Sequence, residues 1–132
     1  MKKIPLYLLV IVLLSVLAFI HACKEYDEEP FIRLPVVLTG SPALILNNMI
    51  VMSGEVSDDF GLAVKARGFC WSKINQYPTI DDDTLVVGQG EGGFCDTIMG
   101  LHENTQYFIR TFATTKKGTG YGSALMVKTA GH

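Results

Sequence analysis

Leu101-His102-Glu103-Asn104-Thr105-Gln106-Tyr107-Phe108-Ile109-Arg110-Thr111-Phe112-Ala113 reads as a tight corner feeding a long strand. A Leu six residues before a Tyr, with Asn-Thr between them, suits the edge of a β-sandwich. There the Leu plugs the core and the Tyr hydroxyl ties the corner back to its own backbone. From Tyr107 onward, Tyr107, Ile109, Thr111 and Ala113 fall on one face, and Phe108, Arg110 and Phe112 on the other. Apolar side chains on both faces make this a central strand.

Working outward, the same period of two recurs in short runs bounded by turn residues. Leu34 to Thr39, entered past Pro30 and Pro35, suits a partly paired edge strand. Met49 to Ser57 carries Ile50, Met52, Gly54 and Val56 in one phase and ends in the turn Asp58-Asp59-Phe60-Gly61. In Val64 to Lys73, Phe69 and Trp71 share an inward phase while Arg67, Cys70 and Ser72 are polar or small, which makes Trp71 the leading core anchor. Ile74 to Asp83 is a loop, Thr84 to Val87 a short strand, Gly88 to Gly93 a glycine turn and Phe94 to Met99 a strand. Lys116 to Gly120 is a hairpin loop before a final strand from Tyr121 to Thr129. Seven short strands at this spacing predict an all-β, antiparallel sandwich.

The front of the chain is different. Met1-Lys2-Lys3 is a positive head, and Ile4 to Ile20 is a run of 17 residues without a charge. This is an export signal. As a helix it would reach about 25 Å, short of the roughly 30 Å hydrocarbon layer, so a permanent transmembrane anchor is the weaker reading. Ile20-His21-Ala22-Cys23 resembles the lipobox of bacterial lipoproteins, in which a small residue precedes the cysteine that becomes acylated; His21 departs from the usual small or aliphatic residue. That resemblance implies that Cys23 is the lipidation site and holds the chain at a membrane. Lys24-Glu25-Tyr26-Asp27-Glu28-Glu29-Pro30 then reads as a solvated acidic tether. A Lys followed by acidic residues beside such a cysteine also resembles the surface-export signal of Bacteroidota lipoproteins. The expected organisation is therefore a signal peptide over 1–22, the lipidated cysteine and tether over 23–33, and a sandwich over 34–130.

The runs Gly68-Phe69-Cys70-Trp71-Ser72, Pro78-Thr79-Ile80, Gly90-Glu91-Gly92-Gly93-Phe94, Leu101 through Tyr107 to Ala113, and Gly118-Thr119-Gly120-Tyr121-Gly122 stand in order. The series resembles the fibronectin type III-like, immunoglobulin-like domains of Bacteroidota surface lipoproteins. The resemblance implies a sandwich used for display, spacing or binding, with no catalytic residues and no cofactor. It also implies a cell-envelope address, lipid-anchored at the outer membrane and facing outside.

Composition narrows the partners. Removing Lys2 and Lys3 with the leader takes the formal charge from −2 to −4, and Lys116-Lys117 is the one basic pair left, so nucleic acid is not expected. Gly88 to Gly93 matches a dinucleotide fingerprint but leads into a strand, where that motif needs a helix N-terminus. Asp81-Asp82-Asp83 lacks the alternating spacing and closing Glu of a calcium loop, so it reads as a solvated run and no metal site is assigned. His102 and His132, the mature chain's two histidines, have no nucleophile set beside them, and Asp96 is a lone inward-phase carboxylate; no enzyme is expected. An exported setting permits a Cys70–Cys95 disulfide. Both cysteines, however, neighbour inward aromatics and so point outward, and on a fibronectin type III plan they lie on opposite sheets. Two functions remain. One is a surface binding or adhesion module for a glycan or protein, using Phe60, Lys116 and Lys117 on clustered loops and Phe108 and Phe112 if their sheet face is uncovered. The alternative is a structural accessory subunit of an envelope complex, docking through Phe108 and Phe112.

Overall fold

The computed structural model describes residues 2–21 and 31–132, so Cys23 and the tether over 24–30 lie outside the described residues. The chain divides into two units, Met1–Phe31 and Ile32–His132. The first contains α1 (Leu6–His21), a helix of 16 residues with no acidic residue in its first turn. Among the described residues, no helix is long and apolar enough to cross a membrane.

The second unit is an antiparallel β-sandwich of nine strands: β1 (Val36–Thr39), β2 (Leu44–Ile45), β3 (Ile50–Asp58), β4 (Ala66–Ser72), β5 (Asp83–Gly88), β6 (Gly92–Ile98), β7 (Gln106–Thr115), β8 (Gly118–Tyr121) and β9 (Leu125–Lys128). They occupy seven strand positions. In the first sheet β3 is central, with β6 on one side and β1 and β2 sharing the other. In the second the order is β5-β4-β7, and β8 and β9 share the far edge of β7. The two additional strands arise where edge strands break. The stretch around Pro42, which lacks an N–H for the ladder, divides β1 from β2, and Gly122-Ser123 divides β8 from β9. The hairpin after β7 is tighter than the sequence suggests, because β8 already begins at Gly118 and only Lys116-Lys117 turn the chain.

Strand phase places the core. Ile50, Met52, Val56, Phe69, Ile98, Tyr107, Ile109 and Val127 are buried between the sheets. Trp71 is not the anchor that its size implies. Two residues beyond Phe69 in the same phase, it sits near the end of β4 and packs half-buried against the cluster, while Phe69 is fully buried. Arg67 shares that inward phase, and its guanidinium lies 4.7 Å above the Phe94 ring. Asp96 is exposed despite pairing with Met52, because β6 is an edge strand and its carboxylate instead accepts the N–H of Thr97. At the seam between the sheets, a Cβ on Gly120 would lie 2.1 Å from the Pro35 carbonyl oxygen, so that approach requires glycine.

The corner is built as its sequence suggests. Leu101 is 7% exposed and joins the core, and the His102 N–H donates to the Tyr107 hydroxyl at 2.9 Å. Tyr107→Phe keeps the ring and removes this acceptor. The expected cost is about 1 kcal/mol, seen as a melting temperature roughly 4–8 °C lower for a domain of this size. An unchanged melting curve would show that the corner is held by packing alone.

Candidate functional site

The end of the sandwich where β3 runs out gathers three loops. Asp58 and Asp59 turn the chain by accepting from the backbone two residues ahead: the Phe60 N–H donates to Asp58 Oδ1 and the Gly61 N–H to Asp59 Oδ1, both at 2.8 Å. Those turns hold Phe60 at φ 54°. A bulky side chain rarely takes this left-handed conformation, at a cost of order 1–3 kcal/mol. Phe60 is nevertheless 38% exposed, with the Arg33 guanidinium 5.3 Å from its ring centroid.

The β5–β6 loop lies alongside. Gly90 N–H donates to the Val64 carbonyl at 3.1 Å, and Arg67 Nη1 donates to the carbonyls of Gly90 and Glu91 at 3.1 and 2.7 Å. The β7–β8 hairpin reaches the same end, because Lys65 N–H donates to the Thr114 carbonyl at 2.8 Å, one residue before Thr115 and the exposed Lys116 and Lys117. Phe60, Lys116 and Lys117 therefore share one end, where the sequence reading had to assume that their loops cluster.

Arg33, Arg67 and Glu91 were missed. Glu91 is 32 positions from Asp59, yet the Asp59 N–H donates to its Oε1 at 3.0 Å. No local pattern encodes a contact at that separation. Asp58, Asp59 and Glu91 place carboxylate oxygens within 4.8 Å of one another. Each already accepts a backbone N–H, so the group is the scaffold of the turn.

Phe108 and Phe112 do not join this surface. They lie on the outer face of the second sheet, and that face is covered by the chain itself. Phe112, a binding candidate only if this face were uncovered, is 2% exposed, with cross-strand partners Gly68, which has no side chain to hold the ring off the sheet, and Tyr121. Phe108, opposite Ser72 and Met126, is half-buried. Over Cys70, Arg110 and Tyr121 the cover is the β4–β5 loop. Arg110 donates from Nε to the Pro78 carbonyl and from Nη2 to the Tyr77 carbonyl, stacks 4.0 Å from the Tyr121 centroid, and sits beside Cys70, whose thiol lies 3.4 Å from the Pro78 carbonyl. The Ile80 N–H donates to the Tyr121 hydroxyl at 3.0 Å.

This cover corrects the reading of the cysteines in part. Cys95 is exposed on the first sheet, whereas Cys70, though it points away from the core, is buried beneath Pro78 on the second. Both are free thiols. Burial pushes the Cys70 thiol from 9.0 up to about 11, against the downward pull of the Arg110 charge. The unfolded thiol ionises near 9.0 and the folded one near 11, so this contribution to stability is complete below pH 9 and is lost as pH rises towards 11. A thiol reagent at neutral pH is expected to modify Cys95 rapidly and Cys70 only on unfolding; equal rates would contradict the cover.

No family model matches the chain, and no curated protein matches it. Among solved structures, it is similar to the sensor domain of the anti-sigma factor RsgI4 of Pseudobacteroides cellulosolvens, at TM-score 0.56 and 12% identity, covering 76% of this chain and 98% of that one. It is also similar to a fibronectin type III domain of the human KIAA0970 protein, at TM-score 0.52 and 13% identity, covering 74% of each chain. The shared feature is the fold: a fibronectin type III-like, immunoglobulin-like β-sandwich.

Proposed function

We propose that this chain is a non-catalytic, lipid-anchored module of a bacterial cell envelope, held at the outer membrane through Cys23, facing outside and binding a glycan or protein through its loops. The observation that carries the reading is Phe60. A rigid sandwich holds a large aromatic side chain in a costly backbone conformation and leaves it accessible, at the end that also presents Lys116 and Lys117. Strain of this kind persists where the surroundings enforce it, and binding surfaces are a common place for it. The anchor rests on the sequence: an apolar leader followed by Ala22-Cys23 and an acidic tether. Two acyl chains, each buried methylene contributing about 0.8 kcal/mol, would hold the domain at a membrane stably. The accessory-subunit reading needs Phe108 and Phe112 as a docking face, and Phe112 is already covered by the chain.

Protease shaving of intact cells beside lysed cells, with Cys23→Ser as control, tests the address. Digestion on intact cells that is lost with Cys23→Ser is the expected outcome; digestion only after lysis would place the domain inside. Alanine at Phe60, Lys116 and Lys117 together is expected to lower affinity for a captured partner at least tenfold, about 1.4 kcal/mol. Unchanged affinity would remove that surface from the proposal.

A further inference from the structure

At the opposite end of the sandwich, where β4 finishes and β5 begins, a cleft of about 340 Å³ opens between Trp71, Ser72, Lys73, Ile74 and Asp81 to Asp83. Its size is at the lower end of the range for small-ligand sites. The walls are built before any ligand arrives. Ser72 Oγ accepts the N–H groups of Ile74 and Asn75 at 3.1 and 3.0 Å, fixing one rim. Asp82 Oδ2 accepts from Asn75 Nδ2 at 3.1 Å and from the Thr79 N–H at 2.8 Å, fixing the other. Thr84 Oγ1 donates to the carbonyls of Ile80 and Asp82, closing the return into β5.

Inside this frame polar groups stand free to meet a ligand. Asp81, Asp83 and Lys73 are exposed to solvent, and among the described residues neither their charged groups nor the Trp71 indole N–H is engaged by another protein group. Cross-strand register sets Asp83 directly opposite Trp71, so a carboxylate stands beside the indole on the same face of the sheet. Trp71 itself packs against the core cluster, is half-buried and lines the cleft.

The chemistry selects the ligand class. Three carboxylates against one ammonium disfavour an anion, and unpaired charges around the rim disfavour a purely apolar molecule. The three aspartates do not bring their carboxylate oxygens together as a metal site would need; among the described residues that convergence is found at Asp58, Asp59 and Glu91, where it serves the turn. A hydroxyl both donates and accepts, so a ring bearing several of them meets carboxylates, an ammonium and an indole N–H, while its C–H face lies on the indole. The geometry points to this cleft as a saccharide-binding site, with Trp71 as the stacking platform, Asp81 and Asp83 accepting from hydroxyls and Lys73 donating to them. This extends the binding-module reading to a second surface, and it stands whether or not Cys23 is acylated.

Trp71 is the chain's single tryptophan, so its fluorescence reports on this cleft alone. The test titrates purified full-length chain in detergent micelles with neutral gluco-, xylo-, manno- and N-acetylchito-oligosaccharides, beside tetramethylammonium chloride. The expected result is a saturable change in emission with at least one neutral saccharide. Asp81→Asn/Asp83→Asn should weaken it on the order of tenfold at unchanged melting temperature, and calorimetric binding should be lost in Trp71→Ala. The proposal is overturned if no saccharide gives a saturable change, if tetramethylammonium alone does, or if the double Asn variant binds as tightly as the parent. Failure here, with Phe60, Lys116 and Lys117 still needed for partner capture, would leave the loop surface standing.

Discussion

Phe69→Ala is expected to cost the sandwich about 3–5 kcal/mol, the range for removing a fully buried phenylalanine ring. Phe69 stands at the middle of β4 with no solvent exposure, its ring centroid 5.4 Å from that of Phe94 and tilted by 46°. Around it pack Ile50, Met52, Ile98, Tyr107 and Ile109, contributed by both sheets. Truncation leaves a void that backbone ladders on either side of β4 prevent from collapsing, so the cavity cost adds to the lost transfer energy. Against the 5–15 kcal/mol that such a domain has in total, the loss is a large fraction. Urea denaturation followed by far-ultraviolet circular dichroism should show a much lower midpoint with a similar slope. Trp71→Ala, truncating a larger but half-buried side chain at the margin of the cluster, should cost less. The reverse ranking would mean that Trp71 is the anchor after all.

That ranking marks where sequence reading stops. Phase assigns Phe69 and Trp71 to the same face correctly, but phase does not say how far along a strand the core extends, and Trp71 lies past its limit. The corner was legible because its parts are local: Leu101, the His102 N–H and Tyr107 fall within seven consecutive residues. The loop end was half legible. Asp58-Asp59-Phe60-Gly61 announces a turn, but the partnership of Asp59 with Glu91 depends on how two sheets stack. The cover over the second sheet was not legible at all. It is made by backbone carbonyls of Tyr77 and Pro78, and a carbonyl carries no residue signature. An outward-phase Arg110 looks the same in sequence whether it points to water or supports a loop.

Arg110→Ala therefore tests the least visible feature of the fold, and its expected cost is about 3 kcal/mol. Hydrogen bonds from a charged donor contribute about 1.5–3 kcal/mol each. Arg110 makes two, to Pro78 and Tyr77, and the Tyr77 bond is solvent-exposed and so discounted. Its stack on Tyr121 adds about 0.5–1 kcal/mol for a partly exposed pair. Arg110→Lys should recover little, because an ammonium on a flexible stem does not reproduce a planar fork that stacks and donates at once. The local consequence separates a lost strut from general destabilisation. With Arg110 gone, Pro78 retains the contact from Cys70, and Ile80 the bond to Tyr121, which should be too little to keep the loop closed. Cys70 should then react with a thiol reagent in the folded protein, at a rate that does not follow global unfolding. If labelling of Cys70 in Arg110→Ala still follows global unfolding as denaturant is added, the loop closes without its guanidinium, and the burial of Cys70 must be attributed to Pro78 and Tyr121 instead.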